Sequence, residues 1–147
     1  MQCCMISEKR SNLRNYATEH DRAKSFKSRC VPNFNLLVMH MKIGIVLSTI
    51  EAEVVWNVFR LGLVAEKANH EVKVFLINNG VEIDGIDSEK YNIKEQIAAF
   101  LENKGQILAC GTCLKSRKEQ GSDICSISTM TDLLSLVEES DKILTFG

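Results

Sequence analysis

Two cysteines three positions apart are the residues of this chain best suited to chemistry. Cys110 and Cys113 stand where the apolar run Ile107–Ala109 gives way to a basic segment. A cysteine between the end of a strand and the start of a helix lies in the positive field of the helix N-terminus, which lowers the thiol pKa and favours the thiolate. We therefore expect sulfur chemistry at Cys110.

Three chemistries fit this spacing, and simple packing fits it as well. In a thioredoxin-type redox pair, the first thiolate attacks and the second thiol resolves the mixed disulfide. In a persulfide carrier, Cys110 holds the sulfur and Cys113 is auxiliary. A structural zinc site would need four ligands, and Cys125 is the one further cysteine nearby, so we expect no metal. Two buried cysteines can also act as small apolar side chains.

Three residues are predicted to bind a substrate or partner beside the cysteines. Arg117 follows Cys110 by seven positions, near enough through a helical turn to support an anionic sulfur or bind an acidic donor. Lys115 belongs to the same basic segment. Asn78 follows a predicted strand, and the carboxyl ends of parallel strands meet at one edge of the sheet. We expect Arg117, Lys115 and Asn78 to line that edge.

The composition limits the class of protein. A chain of 147 residues with 45% hydrophobic and 25% charged residues is typical of one soluble globular domain. Its net charge of −1 argues against nucleic acid or a membrane as an electrostatic partner. With neither a signal-peptide stretch nor a membrane-spanning run, we expect a cytoplasmic protein whose six cysteines are reduced thiols. The segment Ser48–Glu51 lacks the glycines of a dinucleotide-binding loop, and we expect no cofactor.

The first forty residues differ from the rest of the chain. Residues 1–40 hold seven Lys and Arg against three Asp and Glu, whereas residues 41–147 hold eleven against sixteen. The first segment also shows no clear apolar periodicity. We expect it to be either a disordered basic extension or a segment upstream of a true start at Met41, and we expect residues 41–147 to form the single folded domain.

Strands and helices alternate from Lys42 onward. The patterns predict strands over 42–47, 71–77, 106–109, about 124–127 and 142–146, and helices over 51–69, 92–103, 113–120 and 132–140. Such alternation indicates βαβ units with a parallel sheet. The expected fold is therefore a small doubly wound α/β domain, with its working site beyond the carboxyl ends of the strands.

Local signals set the expected helix ends. The Ser48–Thr49 pair is predicted to cap the first helix, and the Ser128–Thr129 pair or Thr131 the last one. Gly105 suits the position just after the second helix. Apolar side chains at helical spacing predict that the first helix is buried on much of its surface: Val54, Val58, Leu61 and Ala65.

Residues 42–147 resemble the DsrE/DsrF-like sulfur-relay family. Four segments carry the resemblance, and the third is the most specific: Lys42–Leu47, Val74–Val81, Ala109–Arg117 and Ser140–Phe146. The resemblance implies a flavodoxin-like three-layer fold that assembles into trimers, hexamers or hetero-oligomers with paralogous subunits. It also implies that Cys110 accepts sulfane sulfur and passes it on without a bound cofactor. Cys113 matches a cysteine that some relatives carry.

These observations favour a sulfur-relay protein. We expect Cys110 to carry sulfane sulfur as a persulfide between a donor protein and an acceptor protein. One alternative is a dithiol–disulfide redox switch between Cys110 and Cys113. Another is a non-catalytic oligomeric scaffold in which both thiols are buried.

Overall fold

The computed structural model describes residues 39–119, 121 and 123–147, so most of the expected N-terminal extension lies outside the described residues. Its strands are β1 (Lys42–Leu47), β2 (Glu71–Leu76), β3 (Gln106–Cys110), β4 (Ser126–Ser128) and β5 (Lys142–Phe146). Its α-helices are α1 (Ala52–Lys67), α2 (Ile93–Glu102), α3 (Gly111–Arg117) and α4 (Met130–Glu139), and a 3₁₀ segment spans Asn78–Gly85. None of the helices within these ranges is long and apolar enough to cross a membrane.

The five strands form one parallel sheet in the order β4-β3-β2-β1-β5. The chain moves in one direction from β1 to β4 and then returns to place β5 beside β1. Right-handed crossovers put the helices before and after such a reversal on opposite faces of the sheet. The result is the predicted three-layer, doubly wound α/β domain, and its architecture is flavodoxin-like.

The first face of the sheet carries the larger core. The helices α1 and α2 meet there, and the rings of Phe59 and Phe100 pack edge to face with their centroids 5.6 Å apart. Leu114 of α3 belongs to the same core. The buried residues of α1 are Val55, Val58, Phe59, Gly62 and Ala65. The prediction for Leu61 is wrong, because the buried residues of α1 form one face of the helix and Leu61, outside that face, stays 43% exposed.

The second face has a smaller core under α4. Phe75 of β2, Cys110 of β3 and Leu136 of α4 form one buried cluster. Leu136 is the one residue of α4 that is buried, and Leu133 is half-buried against the same cluster. The sulfur of Cys110 therefore belongs to the thinner layer of the molecule.

The start of α1 differs from the prediction. Glu51 takes the capping position, with no side-chain cap, so the Ser48–Thr49 pair does not cap this helix. Thr49 Oγ1 instead accepts a hydrogen bond from the Glu51 N–H at 3.1 Å, while Ser48 Oγ donates to the Phe146 carbonyl at 3.2 Å. Both hydroxyls serve the loop after β1.

The end of α2 also differs by one position. Lys104 adopts the left-handed backbone conformation, with φ of 76°, and Gly105 follows it. The Gly105 N–H donates to the Phe100 carbonyl at 3.0 Å and the Lys104 N–H to the Leu101 carbonyl at 3.1 Å, which is a Schellman motif. Gly105 is required for a different reason: a Cβ there would overlap the Phe100 ring.

The remaining helices are close to their predicted places. The helix predicted over 113–120 begins at Gly111, directly after β3, and ends at Arg117, since Lys118 turns left-handed with φ of 59°. Thr129 caps α4 as predicted, in a reciprocal capping box with Asp132. That helix begins at Met130 rather than 132, and β4 begins two residues later and ends one residue later than the segment predicted over 124–127.

Candidate functional site

Cys110 is the last residue of β3 and the residue that precedes α3. Side chains alternate along a strand, so Ile107 and Ala109 enter the larger core while Leu108 and Cys110 face α4. The Cys110 side chain is 1% exposed. The strand thus delivers a thiol to the carboxyl edge of the sheet and buries it under Leu136.

Two opposing effects act on the Cys110 thiol. Burial alone raises its pKa, because the thiolate loses its hydration. The backbone N–H of Cys113, the Cys113 side chain and the backbone N–H of Thr112 all favour the thiolate, and together they hold the Cys110 pKa below its usual 9.0. None of these contacts is a side-chain cap of α3. They nevertheless outweigh burial, so the net shift of the Cys110 pKa is downward.

Cys113 lies one helical turn after Cys110 and has the opposite tendency. Its half-buried sulfur accepts a hydrogen bond from the Asn78 backbone N–H at 3.3 Å. Burial, together with the hydrogen bond and the charge of Cys110, raises the Cys113 pKa above 9.0, against smaller opposing effects of Asn78 and Arg117. The pair therefore favours a thiolate at Cys110 and a thiol, acting as donor, at Cys113.

Arg117 lies next to Cys113 and is already engaged by other groups. Its Nε contacts Glu82 Oε2 at 3.2 Å, and its Nη1 donates to the Cys113 carbonyl at 3.3 Å. Its charge opposes the rise in the Cys113 pKa. Arg117 thus ties α3 to the 3₁₀ segment beside the two thiols.

The other two predicted binding residues contribute in different ways. Asn78 reaches the site through its backbone N–H, while its left-handed conformation, with φ of 51°, starts the 3₁₀ segment. Lys115 is an exposed residue of α3. Asn78 therefore contacts one thiol of the pair directly, whereas Lys115 lies on the solvent side of α3.

Glu82 joins the candidate site although no sequence pattern predicts it. It lies 35 positions before Arg117, and nothing in the local pattern links the two residues. Glu82 also lines a cavity of about 450 Å³ together with Asp84, Asp87 and Leu114. The contact between Glu82 and Arg117 arises because β2 and β3 are neighbours in the sheet, which brings the segments after both strands together.

Two further candidate ligands are His70 and Cys125. His70 Nδ1 accepts a hydrogen bond from the Met41 N–H at 3.3 Å, at the amino end of the sheet. Cys125 is half-buried against the larger core. Among the residues that the structure describes, no group of three or more His, Cys, Asp or Glu is arranged to hold a metal ion.

Comparison with known families bears on this arrangement. The model of the DsrE/DsrF-like family matches residues 41–146. The chain belongs to the DsrE/DsrF-like family. The matched range contains all five strands, both thiols of the pair and Arg117. Family membership confirms the resemblance drawn from the four sequence segments.

Curated relatives of this DsrE/DsrF-like chain come from archaea. It is 32% identical over 97 residues to the uncharacterized protein MJ0989 of Methanocaldococcus jannaschii, a match that spans 62% of this chain and 85% of the relative. It is also 32% identical over 97 residues to the uncharacterized protein MK0008 of Methanopyrus kandleri, with 80% of that relative covered.

Solved structures share the DsrE/DsrF-like fold of this chain. The ychN protein of E. coli superposes with a TM-score of 0.62 at 23% identity, covering 74% of this chain and 100% of that one. A conserved protein of unknown function from Bacteroides thetaiotaomicron, BT1422, gives a TM-score of 0.59 at 18% identity, covering 71% and 94%. These similarities establish the architecture.

Proposed function

We propose that this chain carries sulfane sulfur on Cys110 as a persulfide and passes it to an acceptor thiol. Membership of the DsrE/DsrF-like family suggests a sulfur-relay-related role. The observation that carries the finer proposal is the place of Cys110 at the end of β3 and directly before α3, where backbone N–H groups and Cys113 favour the thiolate despite burial. A thiolate is the form of cysteine that attacks sulfur.

The transfer needs no external oxidant or reductant. The Cys110 thiolate attacks the outer sulfur of a donor persulfide, a new S–S bond forms on Cys110, and the donor leaves as a thiolate. An acceptor thiolate then attacks the outer sulfur on Cys110, which returns to its own thiolate. One sulfur atom moves in each step, and the number of thiolates is unchanged.

Access to Cys110 limits this reaction. Its 1% exposure means that a donor must displace part of the cover over its sulfur. The cover includes Leu133, Leu136 and the more exposed Cys113. We propose that donor and acceptor proteins approach from the side of Cys113, above the start of α3.

A substitution at Cys110 tests this function. Trypsin cleavage after Lys104 and Lys115 yields the peptide Gly105–Lys115, which contains Cys110 and Cys113 and no other cysteine. After brief exposure of the reduced full chain to polysulfide and trapping by alkylation, this peptide should gain one sulfur atom. Cys110→Ser should abolish that gain, whereas Cys125→Ser should retain it. A sulfur-bearing peptide in the Cys110→Ser variant would refute the assignment.

A dithiol–disulfide switch is the second candidate. The packing of Cys113 against the buried cluster that contains Cys110 favours it, because this packing brings the two thiols together at the start of α3. A switch would lose two hydrogens on treatment with hydrogen peroxide, regain them with a dithiol, and form no persulfide with polysulfide. The same peptide therefore separates the two functions.

Self-association and location complete the proposal. The outer side of α4 exposes Met130, Leu134 and Val137, spaced to share one face of the helix. We propose that this face packs against further copies of the chain, in a trimer or hexamer, or against a paralogous subunit. A cytoplasmic location suits the proposal because thiols stay reduced there.

A further inference from the structure

We propose that Cys113 discharges the Cys110 persulfide when no acceptor is bound, releasing sulfide and leaving a Cys110–Cys113 disulfide. This inference rests on the proposed function, since it needs a persulfide on Cys110. It assigns Cys113 the role of a resolving thiol. The site would then have two outlets, an acceptor thiol and free sulfide.

The geometry of α3 places Cys113 for this attack. Cys110 precedes the helix and Cys113 is its third residue, so both side chains lie on one side of the first turn. Cys110 belongs to the buried cluster with Phe75 and Leu136, and Cys113 packs against the same cluster. The fold therefore holds Cys113 against the cluster that contains the sulfur it must attack.

Asn78 fixes the direction of the Cys113 side chain. Its backbone N–H donates to the Cys113 sulfur at 3.3 Å from the start of the 3₁₀ segment. That segment cannot drift away easily, because Gly80 packs so tightly against the Leu47 carbonyl that a Cβ there would lie 2.5 Å from the oxygen. The Asn78 N–H, on a tightly packed segment, therefore holds the Cys113 sulfur in place at the start of α3.

Burial favours the internal thiol over thiols from solution. Cys110 is 1% exposed, so a thiol from solution must first open the cover, whereas Cys113 is part of that cover. A neighbouring group held in place reacts with an effective concentration far above that of a free reagent. Without a bound acceptor, the first thiol that the persulfide meets is Cys113.

The discharge step balances in atoms and electrons. The Cys113 sulfur attacks the inner sulfur, that of Cys110, and the bond to the outer sulfur breaks. The outer sulfur leaves as sulfide and takes the proton of Cys113, so it gains two electrons, while the two cysteine sulfurs end as a disulfide. A dithiol reductant from outside then restores both thiols.

Loss of Cys113 should make the persulfide last longer. The reduced full chain is mixed with a limiting amount of polysulfide, and the peptide Gly105–Lys115 and free sulfide are followed in time. The wild type should gain one sulfur atom briefly, then lose two hydrogens relative to the reduced peptide while about one sulfide appears per disulfide. Cys113→Ser should keep the added sulfur at least about tenfold longer and release correspondingly less sulfide.

Two controls separate the possible failures. Cys125→Ser removes a half-buried thiol of the larger core and should behave as the wild type does. Equal persulfide lifetimes in the wild type and Cys113→Ser would overturn the resolving role and leave the carrier function intact. No added sulfur in either protein would instead refute the carrier function itself.

Discussion

The candidate site holds two neighbouring thiols whose surroundings shift their pKa values in opposite directions. Burial raises the pKa of both, but Cys110 receives hydrogen bonds that favour its thiolate, whereas Cys113 acts as a donor to it. Such a coupled pair loses its protons in two steps that belong to the pair. The first proton therefore comes mainly from Cys110, because its pKa is lowered while the pKa of Cys113 is raised.

Removing the Cys113 side chain should raise the pKa of Cys110. In Cys113→Ala the hydrogen bond from that side chain is lost while burial and the backbone donors remain, so the thiolate is less favoured. The midpoint of the thiolate ultraviolet absorbance for Cys110 should therefore move to higher pH. The titration is made in a full chain whose other cysteines are serine, and Cys113→Ser, which keeps a donor, serves as control. An unchanged or lower midpoint in Cys113→Ala would contradict this account of the pair.

At the scale of elements, regular strands were easier to predict than helix ends. The strands 42–47 and 142–146 were predicted at their observed bounds, because their apolar runs stop at the residues where pairing stops. The start of α3 was missed by two residues, because Gly111 and Thr112 give no clear helical pattern. Two helices end at a single residue in the left-handed conformation, Lys104 after α2 and Lys118 after α3. Lysine is not a residue type from which this conformation can be predicted.

Gly105 provides an element-scale test of packing at the end of α2. An added methyl group in Gly105→Ala would overlap the Phe100 ring, which is fully buried between α2 and α1. We expect a loss of about 1–3 kcal/mol in the free energy of unfolding, measured by urea denaturation. The matched control is Gly85→Ala, where an added Cβ meets no atom within 4 Å. Equal stability of the two variants would show that this ring moves aside freely.

At the scale of the whole molecule, topology decides which thiol is buried and what covers it. The reversal after β4 puts α4 on the face of the sheet that the Cys110 side chain enters. This helix buries Leu136 against Cys110 and exposes Met130, Leu134 and Val137 on its outer side. The sequence could predict the parallel sheet, because the alternation of strands and helices is a local signal. The local motif also named the two thiols and Arg117 as candidate site residues, which stays a prediction. The sequence could not predict Glu82 or the cover over Cys110, because these contacts arise from the packing of distant segments.

The exposed face of α4 should hold copies of the chain together. Leu134 and Val137 are 56% and 46% exposed, and burying them between copies removes apolar surface from water. Leu134→Glu combined with Val137→Glu should reduce the mass measured by sedimentation equilibrium to that of a smaller species. Val64→Glu changes an apolar residue of α1 that is 64% exposed and should leave the mass unchanged. A monomeric wild type, or an assembly that both variants preserve, would exclude this interface.

The position of the transferred sulfur is the most direct test of the central claim. The reduced wild-type chain is exposed briefly to polysulfide, alkylated at once, and cleaved, and the peptide Gly105–Lys115 is fragmented between its two cysteines. The account predicts one added sulfur atom on the fragment that contains Cys110. An added sulfur found on Cys113 alone, or a disulfide formed without any persulfide before it, would contradict a carrier built on Cys110.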